Sequence, residues 1–161
     1  MSDTIIPRIV SRFRGQQFFL SNFYPCNVSF EGLVYPSAEH AYQAAKSLDN
    51  NIRISIRNTP HASVAKSMGQ SIEIRPDWES VKLSIMNKII LNKFISNETL
   101  QNKLLELKNY KLIEGNNWGD TFWGVDERKG GLNHLGEILM KVRDQLLVVF
   151  GLIGVNDEQV N

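Results

Sequence analysis

The stretch Tyr35-Pro36-Ser37-Ala38-Glu39-His40-Ala41-Tyr42-Gln43-Ala44-Ala45-Lys46 leaves the chain few choices. Pro36 resists the interior of a helix, Ser37 is a good N-cap, and the alanines that follow favour helix. At ~3.6 residues per turn, Glu39, Gln43 and Lys46 fall within roughly 60° of one another. Ala38, Ala41, Tyr42, Ala45 and Leu48 take the neighbouring arc, which this spacing turns towards the core. A carboxylate, an amide and an amine therefore line the border between the buried and solvated faces. Glu39 also lies in the first turn, where the helix dipole favours the ionised acid. Taken alone, the segment is explained as well by an ordinary amphipathic helix with a solvated edge.

Composition narrows the class. The chain has 161 residues, 42% of them apolar and 22% charged, as in an ordinary globule with a real core. Eighteen Lys and Arg face seventeen Asp and Glu, and a net charge of +1 predicts no electrostatic grip on nucleic acid or membrane. Cys26 stands alone, so no disulfide framework is expected. His40, His61 and His134 are scattered without zinc-ligand spacing, so neither metal nor cofactor is expected. The N-terminus, with Asp3, Arg8 and Arg12, lacks a signal-peptide core, and no apolar run reaches the ~20 residues of a membrane span. A cytoplasmic setting follows. The expected organisation is a single domain over 1–161, with 1–15 and 152–161 peripheral.

Along the chain, residues 1–15 read as surface-wrapping, and Gln17-Phe18-Phe19-Leu20 as a short strand. Asn27–Phe30 and Leu33–Tyr35 flank Glu31-Gly32, a hairpin turn. Ile52 and Ile56 mark a short helix, and Thr59-Pro60 starts another that stops near Gly69. Asp77 caps a long helix whose core stripe is Val81, Ile85, Met86, Ile89, Ile90 and Phe94, with Trp78 slightly off it. Asn97 caps a further helix, Tyr110–Glu114 alternates as a strand, and Asn133 caps the last helix, with Leu135, Ile138, Leu139, Val142, Leu146 and Val149 inward. After Gly151 the polar tail is expected to fray. The fold class is α+β, predominantly helical, with a small hairpin or sheet.

No packing period explains Gly115–Gly131, where Trp118 and Trp123 surround Asp120. Glu39 and Asp120 are thus two acids beside aromatics. Glycosidic cleavage needs a carboxylate to steady positive charge at the anomeric carbon, and a base for water or an acid for the leaving group. The flat leaving base of an N-glycoside suits a tryptophan clamp. The plainer account makes two of Trp78, Trp118 and Trp123 core residues and Asp120 a turn residue. Lys46 is a surface charge, an anion ligand, or, if desolvated, an amine able to attack a ribose C1. Cys26 reads as a buried thiol. Arg12, Arg14, Arg53 and Arg57 read as solvated unless they meet a phosphate.

Several blocks carry a resemblance: Phe19–Pro25, Ser37–Lys46, Asp77-Trp78-Glu79, Asn92-Lys93-Phe94, Asp120–Gly124 and Gly131–Arg143. In this order, from about Phe18 to Leu147, they resemble the NADAR or YbiA-like family, the riboflavin-biosynthesis-associated N-glycosidases. The resemblance implies a compact, mostly helical α+β domain. It implies hydrolysis of an N-glycosidic bond in a ribosylated, phosphate-bearing small molecule, a ribosylamino-pyrimidine phosphate, or removal of ADP-ribose from guanine bases. The matched positions put Glu39, Asp120 and Lys46 in the catalytic set. Trp78, Trp123, Asn22, Phe23, Gln43 and Tyr42 fall at substrate-binding positions. Nucleic acid enters only as a modified substrate. An added Trp118-Gly119 precedes Asp120, and the Asp-x-aromatic-Trp-Gly order favours Trp123 as the matched tryptophan. The rival expectation is a non-catalytic sensor of NAD-derived or ADP-ribose ligands.

Overall fold

The computed structural model describes residues 6–150. The described residues form six α-helices, one 3-10 helix and three two-stranded pairings, grouped into two compact units. One unit is Arg14–Leu100; the other joins residues up to Phe13 with those from Gln101. The tail after Gly151 lies outside the described residues. No helix among them is long and apolar enough to cross a membrane.

In the first unit, β2 (Pro25–Phe30) and β3 (Leu33–Ser37) form the expected hairpin, with Val28 opposite Tyr35 and Phe30 opposite Leu33. Its turn residues, Glu31 (φ 43°) and Gly32 (φ 85°), are both left-handed, the form whose twist suits a two-residue hairpin. α1 (Ala38–Ala45) follows at once. Ser37 is extended, and its hydroxyl accepts the His40 amide hydrogen at 3.1 Å, the cap the sequence predicts. Every residue of α1 is buried, because its alanines let α2 (Asn50–Arg57), α3 (Ala62–Gly69) and α4 (Trp78–Ile95) close around it. α4 buries Ile85, Met86, Ile89, Ile90 and Phe94 as its spacing predicts, and Trp78 with them. Full burial of Ile89, Ile90 and Phe94 stabilises by roughly 1.5–3 kcal/mol each.

Some expectations fail here for local reasons. Gly15–Leu20 is a 3-10 helix, not a strand; a short apolar run has no period long enough to choose between them. Leu48 is 65% exposed, because α1 ends at Ala45 and the chain has left the helical arc before reaching it. Asp77 precedes α4 without capping it, since its carboxylate binds the Arg75 guanidinium at 2.6 and 2.9 Å. α3 begins at Ala62 after His61, not at Thr59, whose hydroxyl donates instead to the Ile56 carbonyl of α2. Glu39 and Gln43 are buried rather than at the border.

In the other unit, β1 (Arg8–Val10) runs parallel to β4 (Tyr110–Leu112), so part of the supposed surface wrap is a strand. α5 (Glu98–Glu106) leads into this unit and buries Leu104. β5 (Gly115–Asn116) pairs with β6 (Val125–Asp126). α6 (His134–Val149) packs on β4 and buries Leu135, Leu139 and Val142. Val149 is 75% exposed, against expectation, at the last turn of the helix. Asn133 precedes α6 in the left-handed conformation, but its side chain caps no amide of that helix. It instead accepts from Glu114 N at 3.0 Å and donates to the Leu112 carbonyl at 2.9 Å.

A Cβ at Gly124 would land on the Glu114 carbonyl and the Asn116 amide. Gly124→Ala should therefore cost ~1–3 kcal/mol, read as a lower urea midpoint with an unchanged m-value.

Candidate functional site

α1 carries the first half of the candidate site. The Glu39 backbone N–H donates to the Asn22 carbonyl at 3.0 Å, which fixes the segment after the 3-10 helix against the start of α1. The buried Glu39 carboxylate accepts from Gln43 Nε2 at 2.6 Å, one turn along. Gln43 is held in place because Gly69 of α3 sits directly against its amide; any side chain at 69 would collide with it. Tyr42 leans on Trp78 with ring centroids 5.3 Å apart. Trp78 is brought there by the Arg75 segment: Arg75 N donates to the Lys46 carbonyl at 2.7 Å, and Trp78 N to the Arg75 carbonyl at 3.2 Å.

Lys46, half-buried, lies 5.5 Å from the Tyr42 ring centroid. Burial pushes its pKa below the ordinary lysine value, the Glu39 carboxylate pulls it back up, and the Lys66 ammonium lowers it again. Lys66 Nζ stands 5.9 Å from the Phe23 ring. Of the expected site residues, this unit thus groups Asn22, Phe23, Glu39, Tyr42, Gln43, Lys46 and Trp78.

Asp120 and Trp123 are carried by the other unit, in the loop between β5 and α6. Asp120 Oδ1 accepts from Phe122 N at 3.1 Å and Trp123 N at 2.9 Å, so the residue does serve as a turn residue. The Asn116 side-chain amide brackets it, donating to the Asp120 carbonyl and accepting its N–H. Trp123 meets Phe122 edge-on at 4.8 Å, and Phe122 lies 4.5 Å from the His134 ring. Trp118 is 55% exposed, whereas Trp123 is half-buried. The loop is further pinned by Asp126, whose carboxylate accepts from Arg128 N, Lys129 N and Gly119 N at 2.8–3.0 Å. These amide donors, Arg128 first, hold its pKa below the ordinary value. Among the described residues no group of three His, Cys, Asp or Glu is placed to hold a metal.

Residues 11–147 match the NADAR domain. The chain belongs to this family. It is 37% identical over 130 residues to the N-glycosidase YbiA of Escherichia coli, covering 80% of this chain and 81% of that one. An N-glycosidase of Nostoc punctiforme is 33% identical over 140 residues, covering 84% and 89%. A riboflavin biosynthesis protein of Vibrio vulnificus is 35% identical over 130 residues, of which this chain spans 35% of the length. The NMR structure of E. coli YbiA superposes with a TM-score of 0.81 at 31% identity, covering 97% of this chain and 94% of that one. The α+β, mainly helical NADAR fold is therefore that of this chain.

Several features of the site escaped the sequence. His40 was one of three scattered histidines; it is buried beside Glu39 and wired at both ends. Its Nε2 lies 3.1 Å from the Thr59 carbonyl, which can only accept, so the proton sits on Nε2. Nδ1 then accepts the Ser37 hydroxyl hydrogen at 2.6 Å. Lys66 drew no attention either, though it lies one turn before the glycine that packs on Gln43. Cys26 is half-buried, its thiol pushed up by burial and pulled partly back by Lys93.

Burial, partly offset by the bond to Thr59, lowers the His40 pKa from 6.5. An unfolded histidine protonates near 6.5, whereas the folded imidazole stays neutral to lower pH. The stability tied to His40 is thus intact above ~6.5 and lost as pH falls from there through the lowered folded value. Melting temperatures measured between pH 5 and 7.5 should fall towards the acid end, and His40→Asn should flatten that slope.

Proposed function

We propose that this chain is an N-glycosidase that hydrolyses the bond between a ribosyl C1 and a nitrogenous base in a small, phosphate-bearing molecule. The observation that carries the reading is the buried Glu39 carboxylate, its Oε1 held at 2.6 Å by Gln43, on the helix that also presents half-buried Lys46 and the Tyr42–Trp78 aromatic pair. Membership of the NADAR family, with relatives named N-glycosidases, supports the same activity. Relatives named riboflavin biosynthesis proteins support a ribosylamino-pyrimidine phosphate as substrate. The net charge of +1 favours a small molecule over a nucleic-acid polymer carrying ADP-ribose.

The chemistry follows from the residues. The Gln43 amide on one oxygen and the Lys46 ammonium nearby both favour the carboxylate form of Glu39, which in that form can accept a proton and steady positive charge growing at C1. Trp78 and Tyr42 offer apolar faces for the flat base. The downward pull of burial on Lys46 increases the fraction of free amine, and we assign it the attack on C1. The C1–base bond breaks as the lysine C1–N bond forms, and the proton the amine gives up passes through Glu39 to the departing base nitrogen. Ring opening gives a Schiff base, which water hydrolyses to free sugar and lysine. Asp120 is the proposed second carboxylate, and Trp123, Asn22 and Phe23 proposed substrate contacts.

Release of base from a ribosylamino-pyrimidine phosphate, with ADP-ribosylated DNA as the comparison, tests the activity. No release from either would leave a binding domain, the sensor reading. Glu39→Gln should reduce turnover ~10²–10⁴-fold while the protein stays folded; an unchanged rate would remove Glu39 from the chemistry. Borohydride added during turnover should trap an adduct that Lys46→Ala abolishes. An untrappable reaction would instead leave Lys46 as a charge beside Glu39. Asp120→Asn keeps an oxygen for the amides of Phe122 and Trp123 but not the negative charge. It should keep its melting temperature and lose activity, whereas a purely structural Asp120 predicts no loss.

A further inference from the structure

We propose that Lys66 holds a phosphomonoester of the substrate, leaving Lys46 to the sugar carbon. The proposal deepens the N-glycosidase reading and rests on it for the identity of the sugar.

The placement comes from α1 and α3. Phe23 follows Asn22, whose carbonyl takes the Glu39 N–H, so Phe23 stands at the Glu39 end of α1. Lys66 Nζ is 5.9 Å from its ring. One turn further along each helix, Gly69 of α3 lies against Gln43 of α1. α3 thus packs on α1, with Lys66 beside Phe23 and close enough to Lys46 to act on its charge.

The surroundings of Lys66 point to an anion. Cations that the fold itself uses are bound to protein oxygens: Lys93 donates to the Ser21 carbonyl, Arg53 to the Ser47 carbonyl and to Glu31, and Arg143 to the carbonyls of Leu107 and Tyr110. Lys66, although half-buried, makes no hydrogen bond or ion pair among the described residues. Its neighbours are an aromatic face and a second ammonium, Lys46, whose proton it helps to loosen. The two neighbouring ammonium groups repel each other, and a dianion bound beside them would relieve that repulsion. Lysine binds phosphate as a point charge, without the planar fork that arginine offers a carboxylate. The buried Asn22 Oδ1 has no partner, and it is an acceptor, suited to a sugar hydroxyl. Cation and acceptor together describe a sugar phosphate.

Calorimetric titration with ribose 5-phosphate and with ribose tests this. Wild type should bind the phosphate ester more tightly than the free sugar. Lys66→Gln should weaken ribose 5-phosphate binding ~10-fold or more, the loss of a charged hydrogen bond, and leave ribose unchanged. Lys66→Arg should retain most of the binding, and Phe23→Leu, which frees the lysine chain, should weaken it less. Since Lys66 makes no hydrogen bond or ion pair among the described residues, Lys66→Gln should melt close to wild type. Equal binding of the ester and the sugar by wild type, or an unweakened Lys66→Gln, would overturn the proposal. The outcomes separate from the catalytic reading: base released with no dependence on Lys66 removes the subsite alone. Phosphate-dependent binding through Lys66 with no base released keeps the subsite and removes the glycosidase.

Discussion

Four alanines in an eight-residue helix set the terms for the rest of this structure. Ala38, Ala41, Ala44 and Ala45 have little to offer a core by volume, but they let three other helices approach α1 closely. That approach takes water away from Glu39 and Gln43 without filling their space with apolar side chains. A carboxylate so placed would be costly alone, and its cost is offset by the Gln43 amide, by a neighbouring ammonium and by its position in the first turn of a helix. The Ser37 cap and the His40 imidazole, bonded to both Ser37 and Thr59, then hold the helix start in one geometry.

Much of this was legible in the amino-acid order, where a local rule decides the outcome. Pro36-Ser37 permits one kind of junction, Glu31-Gly32 one kind of turn, and the spacing of Ile85, Met86, Ile89, Ile90 and Phe94 one buried face. The misses turn on what a side chain meets once the chain is folded, or on where an element stops. Asp77 is a plausible cap until Arg75 claims its carboxylate. Lys93 carries no local sign of burial, yet it is fully buried and donates to the carbonyl of Ser21, seventy-two residues earlier. Leu48 reads as core only if the helix continues one turn longer than it does. The acid-bearing loop gave no periodic signal at all, since its order comes from side-chain oxygens of Asp120 and Asp126 bonding backbone amides rather than from packed apolar faces.

Cations divide into two populations. Lys93, Arg53 and Arg143 are buried and bonded to main-chain carbonyls, where they close gaps that the secondary structure leaves open. Lys46 and Lys66 are half-buried, near each other, and face aromatic rings. The first group explains itself by folding. The second group makes no such bond among the described residues, and the proposed sugar-phosphate substrate would use both of its lysines.

Asp120 has one oxygen tethered to two loop amides. A carboxylate moored in that way cannot exchange its two oxygens by spinning about its last bond without tearing both tethers. The second oxygen, Oδ2, therefore keeps a fixed address relative to the loop. The bearing of that carboxylate is thus written into the loop backbone as much as into the acid itself.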